Sequence, residues 1–525
     1  MKLLAAYDVD TVFGMAGTMT VELYRGIASA GIRHVQCRNE QGASLMADGY
    51  ARATGKPGVC TIIAGPGVTN ASTGIAQAYC DSKPMLVLSG ATPTLTHGKG
   101  WGAIHELDDQ AAVTAGFTAF SAMVRHPDEV PEWIARAYAV FRGSRPRPVH
   151  LSLPRDILPV PVEAEWTTRR APSLPMPDPA AIDEAAERLA RAKRPLIFVG
   201  GGAVGTREAL TDIAERIGAP VLATNAGKGI LPSSHSLSLG GSILQEASQQ
   251  ALADADVVLL VGSEVAAGDH FLQKLEISGD IIRIDIDPTE LTSMYAALVP
   301  IQADARAAMR ALSAALSSGK PAAKLSEGEH RVRDILARNA AKMTDLEKLH
   351  ARVWKILRSV LPADTIVMGD ATQIVYTGSF AMPMETECCW YYSGSYCSLG
   401  VALPMAIGAR IGAPHRPVVA VAGDGGIMFT IGELATAAEE GLALPVIVWN
   451  NDALNAIVEQ MDLRQIPRIG VQPRSPDFLG LARSLGCHAA RAGSAEHLAQ
   501  SVREALGADR PTLIEVRQDS PWLTA

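Results

Sequence analysis

Residues 416–430 read RPVVAVAGDGGIMFT. Val418 to Ala422 form an apolar run short enough for a buried strand, and it breaks at Gly423, Asp424, Gly425 and Gly426. The stretch ELATAAEEGL (433–442) then has helical composition, and a second buried run follows, ALPVIVWNN (443–451). Strand, glycine turn, helix and strand make a unit whose two strands lie parallel in one sheet. Such sheets bind ligands beyond the carboxyl ends of their strands. Asp424 stands at one such end, Asn450 and Asn451 at the next.

The same alternation extends in both directions. Strands are expected at RHVQC (33–37), GVCTIIAG (58–65) and DSKPMLVLSG (81–90). Further on they are expected at RPLIFVGGGAVG (194–205), ADVVLLVG (255–262), DIIRIDIDP (280–288) and DTIVMGD (364–370). Two stretches interrupt the pattern. LPVPVEAEWTTRRAPSLPMPDPAA (158–181) is too rich in proline to continue a helix or sheet, and LSSGKPAAKLSEGEH (316–330) is polar and poor in bulky apolar residues. The expected fold is α/β, with three doubly wound parallel-sheet domains over residues 1–160, 178–318 and 340–525.

Composition narrows the function. Of 525 residues 48% are hydrophobic and 19% charged, as in a well-folded globular chain. The net charge of −8 and the absence of a basic tract argue against nucleic acid as a partner. Seven cysteines without a CxxC pair suit reduced thiols in the cytoplasm. No apolar run is long enough for a membrane span, so a cytoplasmic enzyme is expected.

Asp424 alone is evenly balanced between a structural turn and a site. The asparagines at the neighbouring strand end shift that balance. A carboxylate and a side-chain amide supply hard oxygens, which suit Mg²⁺ sharing its shell with a phosphate. The amides of Gly425 and Gly426 could cradle that phosphate. No Walker A lysine motif accompanies them.

Gly-Asp-Gly followed nearly thirty residues later by a double Asn resembles the thiamin diphosphate binding motif. The likeness implies Mg²⁺ ligation by Asp424, the Asn451 side chain and the Ala453 carbonyl, with Gly423, Gly425 and Gly426 around the diphosphate. RNEQGASLMADGYARATGKPGV (38–59) is similar to the pyrimidine-binding domain of acetohydroxyacid synthases and related 2-oxo-acid decarboxylases. From position alone, Glu40 would be an ordinary acid in a helix first turn. The resemblance makes it the group that hydrogen-bonds the cofactor's N1′ and drives its proton exchange. By the same match AGPGVTN (64–70), with Pro66 and Asn70, lines the pyrimidine pocket. Thr372 and Gln373 contact the diphosphate. The Cys397 carbonyl accepts from the 4′-amino group, and Leu399 wedges between the cofactor's rings. His105 falls where relatives place polar catalytic side chains. The family also implies a homodimer or homotetramer with active sites at subunit interfaces.

Gly200, Gly202 and Gly205 fit a dinucleotide fingerprint. A lone match is weak, so FAD is a minor alternative rather than the expectation. The substrate implied is a small 2-oxo acid. Acetohydroxyacid synthases carry Met-Val and a Trp after the double Asn, where this chain has Ala456, Ile457 and Gln460, and an Arg where it has Gly268. VELYRGI (21–27), GKGWGAIHELDDQAAVTAGFTAFSA (98–122) and WNNDAL (449–454) resemble instead the 5-guanidino-2-oxopentanoate (2-ketoarginine) decarboxylase group. That likeness implies non-oxidative decarboxylation to 4-guanidinobutanal, with acetolactate synthase-like carboligation as the alternative. A guanidinium needs a carboxylate partner, and Glu106, Asp108, Asp109, Glu459 and Asp462 are the nearby candidates.

Overall fold

The computed structural model describes residues 1–316, 322–392 and 394–524. Its strands form three six-stranded sheets. The first contains β1 (Thr11–Gly14), β2 (Arg33–Gln36), β3 (Gly58–Ile62), β4 (Met85–Ala91), β5 (Phe120–Met123) and β6 (Val149–Pro154), in the order β2-β1-β3-β4-β6-β5. The second contains β7 (Pro195–Val199), β8 (Val221–Ala223), β9 (Ser238–Gly240), β10 (Val257–Val261), β11 (Asp280–Asp285) and β12 (Val299–Gln302), ordered β12-β11-β10-β7-β8-β9. The third contains β13 (Ile366–Gly369), β14 (Trp390–Tyr392), β15 (Val418–Gly423), β16 (Pro445–Asn450), β17 (His488–Arg491) and β18 (Thr512–Arg517), ordered β14-β13-β15-β16-β18-β17.

Every pairing in all three sheets is parallel. Central strands such as Val257–Val261 and Val418–Gly423 are buried along their whole length, because helices cover both faces. The three α/β domains expected from the sequence are present. Register then sets the site. Val421 lies opposite Gly369 of β13, and Gly423 opposite Trp449 of β16. Asp370, Asp424 and Asn450 therefore emerge at one edge of the third sheet.

The first and third sheets share a single core. Leu45, Met46 and Ile75 on one side join Met405, Ile407 and Val446 on the other in one buried cluster. The helix Glu40–Thr54 crosses the helix Ala402–Gly412 so closely that side chains are excluded at two points. A Cβ on Gly49 would lie 2.0 Å from the Met405 carbonyl oxygen, and one on Gly408 would lie 1.9 Å from that of Met46.

The polar stretch 316–330 departs from its reading as a break. Residues 317–321 lie outside the described residues, but Ala322–Ala341 is a helix. Val332 and Ile335 on it are buried with Leu196 and Phe198 of the second sheet. The few apolar residues are spaced for one helix face, a signal diluted by surrounding charge. Between Pro154 and Pro179 the chain runs without helix or strand. Among the described residues no helix is long and apolar enough to cross a membrane.

The glycine turn of the second domain is bonded both within that domain and to the third. The Gly202 amide donates to the Gly262 carbonyl at 3.0 Å, and the Gly205 amide donates to Glu387 Oε2, also at 3.0 Å. Nearby, Lys228 is buried, donates to the Gly378 carbonyl at 2.9 Å and stacks on Trp390.

The helix crossing leads to a stability prediction. Gly408→Ala must push two backbones apart and should cost about 1–3 kcal/mol. The measurement is the urea midpoint, which should fall; an unchanged midpoint would show that the crossing can relax freely.

Candidate active site

At the edge of the third sheet, Asp424 is only 5% exposed. Burial raises its pKa, while hydrogen bonds from the Gly425 amide and the Ser475 hydroxyl oppose the shift. Ser475 Oγ lies 3.1 Å from Asp424 Oδ2 and 3.3 Å from Asn450 Oδ1, so it bridges the two strand ends. Asn450 donates to the buried Glu515 at 2.7 Å, and its own oxygen accepts from the Asp452 amide at 3.1 Å. Asn451 donates to Gln518 at 3.2 Å and accepts from the Ala453 amide at 3.3 Å. Asp452 holds the left-handed turn between them, with φ 53°. The asparagine brought directly to Asp424 is thus Asn450, through Ser475.

Asp370, one residue past β13, is fully enclosed. Its carboxylate accepts from the Ala371 amide at 2.8 Å and the Gly400 amide at 3.0 Å, and burial pushes its pKa up to about 7. A Cβ on Gly426 would stand 3.1 Å from its Oδ2, and one on Gly423 would stand 2.9 Å from Thr372 Oγ1. Glycine at both places lets the 423–426 backbone lie against Asp370 and Thr372. The Gly400 carbonyl accepts from Thr430 Oγ1 at 2.6 Å. Those bonds fasten the turn bearing Cys397 and Leu399 to the Asp424 loop. Cys397 is exposed, with φ 55° and its sulfur 3.4 Å from the Tyr392 hydroxyl, and Leu399 is half-buried. Gln373 begins the helix Gln373–Ala381, and its Oε1 accepts from Asn455 at 2.9 Å.

The other half of the site lies on the first sheet. Asn39 caps the helix Glu40–Thr54 by accepting from the Gln41 amide. That cap starts the helix at Glu40, which is buried and accepts from Asn70 Nδ2 at 3.0 Å. Asn70 belongs to the helix Pro66–Cys80, whose first residues form the turn Gly65–Pro66–Gly67. A Cβ on Gly67 would lie 3.3 Å from Glu40 Oε1. Gly65 has φ 57°, and its open face is covered by His105. His105 Nδ1 lies 3.2 Å from the Ala64 carbonyl, and donating there leaves Nε2 as the free acceptor. Glu40, Pro66, Asn70 and His105 therefore gather around one turn.

Three further groups hold this arrangement, and sequence reasoning passed over them. Gln110 accepts from the Gly65 amide at 2.8 Å and donates to Ser89 and to the Gly90 carbonyl. Behind it His150, fully buried, meets Ser89, Thr114 and Ser121 hydroxyls at 2.7 to 2.9 Å. Glu433, nine residues after Asp424, accepts from the Arg38 and Asn39 amides at 3.1 to 3.2 Å and from Thr436 at 2.7 Å. It clasps the chain just ahead of Glu40, and burial raises its pKa. Asp370 could have been noticed as a second strand-ending Asp. Ser475 and Gln110 act across distances that leave no local pattern.

These paired halves agree with the comparisons. Residues 1–113 match the thiamine pyrophosphate enzyme N-terminal TPP binding domain, 182–312 its central domain, and 370–516 its C-terminal TPP binding domain. The chain belongs to the thiamine pyrophosphate enzyme family. It is 45% identical to the probable 2-ketoarginine decarboxylase AruI of Pseudomonas aeruginosa, over 98% of this chain and 93% of that one. It is 30% identical to a probable acetolactate synthase large subunit of Methanocaldococcus jannaschii, over 98% of this chain and 90% of that one. An X-ray structure of a candidate thiamin diphosphate-dependent enzyme from Mycobacterium smegmatis superposes with a TM-score of 0.83 at 24% identity, covering 98% and 97% of the two chains. That last likeness is one of fold.

His150 provides a pH test of the scaffold behind Gln110. Burial lowers its pKa to about 4 in the folded protein, against roughly 6.5 for an unfolded histidine. The unfolded chain takes the proton first, so this stabilising share is lost as pH falls from about 6.5 towards 4, at most about 3 kcal/mol. The urea-midpoint advantage of the wild type over His150→Asn should therefore narrow between pH 7.5 and pH 5. A constant gap would mean that His150 does not stay neutral.

Proposed function

We propose that this protein decarboxylates 5-guanidino-2-oxopentanoate to 4-guanidinobutanal and CO₂, using thiamin diphosphate and Mg²⁺. The observation that carries this reading is the full-length likeness to a protein named for that substrate, at 45% identity against 30% for the archaeal acetolactate synthase relative. Gly268 adds support. A Cβ there would lie 2.1 Å from the Gly394 carbonyl oxygen, so the arginine that acetohydroxyacid synthases carry has no room.

The residues fit the cofactor chemically. Asp424 supplies a buried carboxylate and Asn451 an amide oxygen, beside the Ala453 carbonyl, a donor set suited to Mg²⁺ that also binds diphosphate oxygens. The Gly423–Gly426 backbone, lying against Thr372 and Asp370, can approach a diphosphate closely because no side chain intervenes. Gln373 already serves Asn455 through its oxygen and has its amide nitrogen left for the diphosphate. Leu399 and the Cys397 carbonyl would hold the cofactor's rings, with Pro66 and Asn70 lining the place for the pyrimidine. Bound thiamin diphosphate supplies the nucleophilic carbon and the electron sink for loss of CO₂ from a 2-oxo acid. Glu40 holds and exchanges the proton at the pyrimidine N1′, and Asn70 fixes the orientation of its carboxylate. His105, with Nε2 free, moves a proton at the substrate.

Assembly of two or more copies completes the site in this reading. Trp101 and Ile104 beside His105, and Met428 and Phe429 beyond Gly426, are exposed apolar side chains at the two site halves. Large exposed apolar groups concentrated at a site mark a surface that another chain covers. The seven cysteines are all free, in keeping with a cytoplasmic location.

Three measurements test the reading. Product analysis should find 4-guanidinobutanal from 2-ketoarginine; acetolactate from pyruvate without that aldehyde would establish the carboligase alternative instead. Glu40→Gln should retain cofactor affinity but slow C2 proton exchange by about 100-fold or more, read by NMR. Exchange at wild-type speed would remove Glu40 from its role. Asp424→Ala should weaken cofactor and Mg²⁺ binding, measured by calorimetry.

A further inference from the structure

A guanidinium is planar, permanently charged and rich in donors, with no acceptor. A site that selects it must offer oxygens that no cation has already claimed. Of the acids Glu106, Asp108, Asp109, Glu459 and Asp462, only Asp462 has a cation partner among the described residues; the others differ in what else their oxygens hold. Asp462 is paired with Arg468. Glu106 accepts from the Gly100 and Ala103 amides, both at 2.9 Å, and Asp109 caps the helix Gln110–Ala115. Asp108 lines an open cleft of the first domain with Arg125, Glu129 and Trp133.

Glu459 is different. It lies on the helix Asn455–Leu463, which begins directly after the Asn451–Ala453 loop. Its Oε1 accepts from Asn455 Nδ2 at 3.0 Å, and the same Nδ2 donates to Gln373 Oε1 at 2.9 Å. One amide group thus draws together two acceptor oxygens, one from each of two helices that follow β13 and β16, the strands on either side of β15. Asn455 Oδ1 is a third acceptor in the same cluster. Among the described residues no ion pair involves Glu459.

We infer that Glu459, held by Asn455 against Gln373, is the carboxylate that receives the guanidinium of the substrate and so determines specificity for a cationic 2-oxo acid. This inference rests on the decarboxylase reading above. Glu459 binds the charged end, far along the side chain from the carbon that loses CO₂. Its contribution is therefore to substrate binding and to the choice between substrates. Asn455 is a positioning residue, acting through Glu459.

The test compares 2-ketoarginine with the uncharged 2-oxohexanoate, using full-length wild type and Glu459→Gln. Loss of a charge-assisted pair should reduce the ratio of the two kcat/KM values about tenfold or more, mainly through KM for 2-ketoarginine. Glu459→Lys should reduce that ratio further, because it places like charges together. Asn455→Ala should move the ratio in the same direction by less. If wild type consumes 2-ketoarginine and Glu459→Gln leaves the ratio unchanged, this inference falls and the decarboxylase reading stands. If wild type prefers 2-oxohexanoate, the reading of the substrate falls, and the inference with it.

Discussion

The clasp between Glu433 and the backbone ahead of Glu40 is the contact on which the arrangement of the site depends. Its carboxylate receives the Arg38 and Asn39 amides while buried between the first and third domains. A buried carboxylate is costly unless its oxygens are well paired, so the bonds that satisfy Glu433 also fix where the Glu40 helix begins. The crossing of Gly49 and Gly408 then leaves that helix little freedom to slide against the helix Ala402–Gly412. Two chemically different halves, 384 positions apart at Glu40 and Asp424, thereby belong to one rigid frame.

Much of this was legible in the sequence, for a physical reason. Strands buried on both faces are continuous apolar runs, and they end where glycine and acid appear, so the sheets and their working ends can be read together. Asp424 and Asn451 stand out in this way at strand ends, while Glu40 and the 64–70 turn are singled out by the family resemblance. The helix Ala322–Ala341 was misread because its apolar face is sparse among charges. Ser475, Gln110 and Glu433 were missed because each acts on a group far away in the chain. A hydrogen bond between distant residues has no period.

The site also separates two duties. Backbone amides, glycine turns and buried carboxylates such as Asp370 and Glu433 make up the frame behind Asp424 and Glu40. Side chains on the helix Asn455–Leu463 are more exposed, and Val458 alone among them is buried. Substitutions on that helix disturb little of the core, whereas any side chain added at Gly423 or Gly426 meets Thr372 or Asp370. Fold and cofactor can therefore stay fixed while substrate choice drifts.

The Glu387 carboxylate on the Gly205 amide has a consequence of its own. It belongs to the third domain and accepts from a backbone amide of the central one, so a bond within a single chain ties the two at that turn. Movement of the central domain against the third must therefore break this bond together with the one from Lys228 to the Gly378 carbonyl.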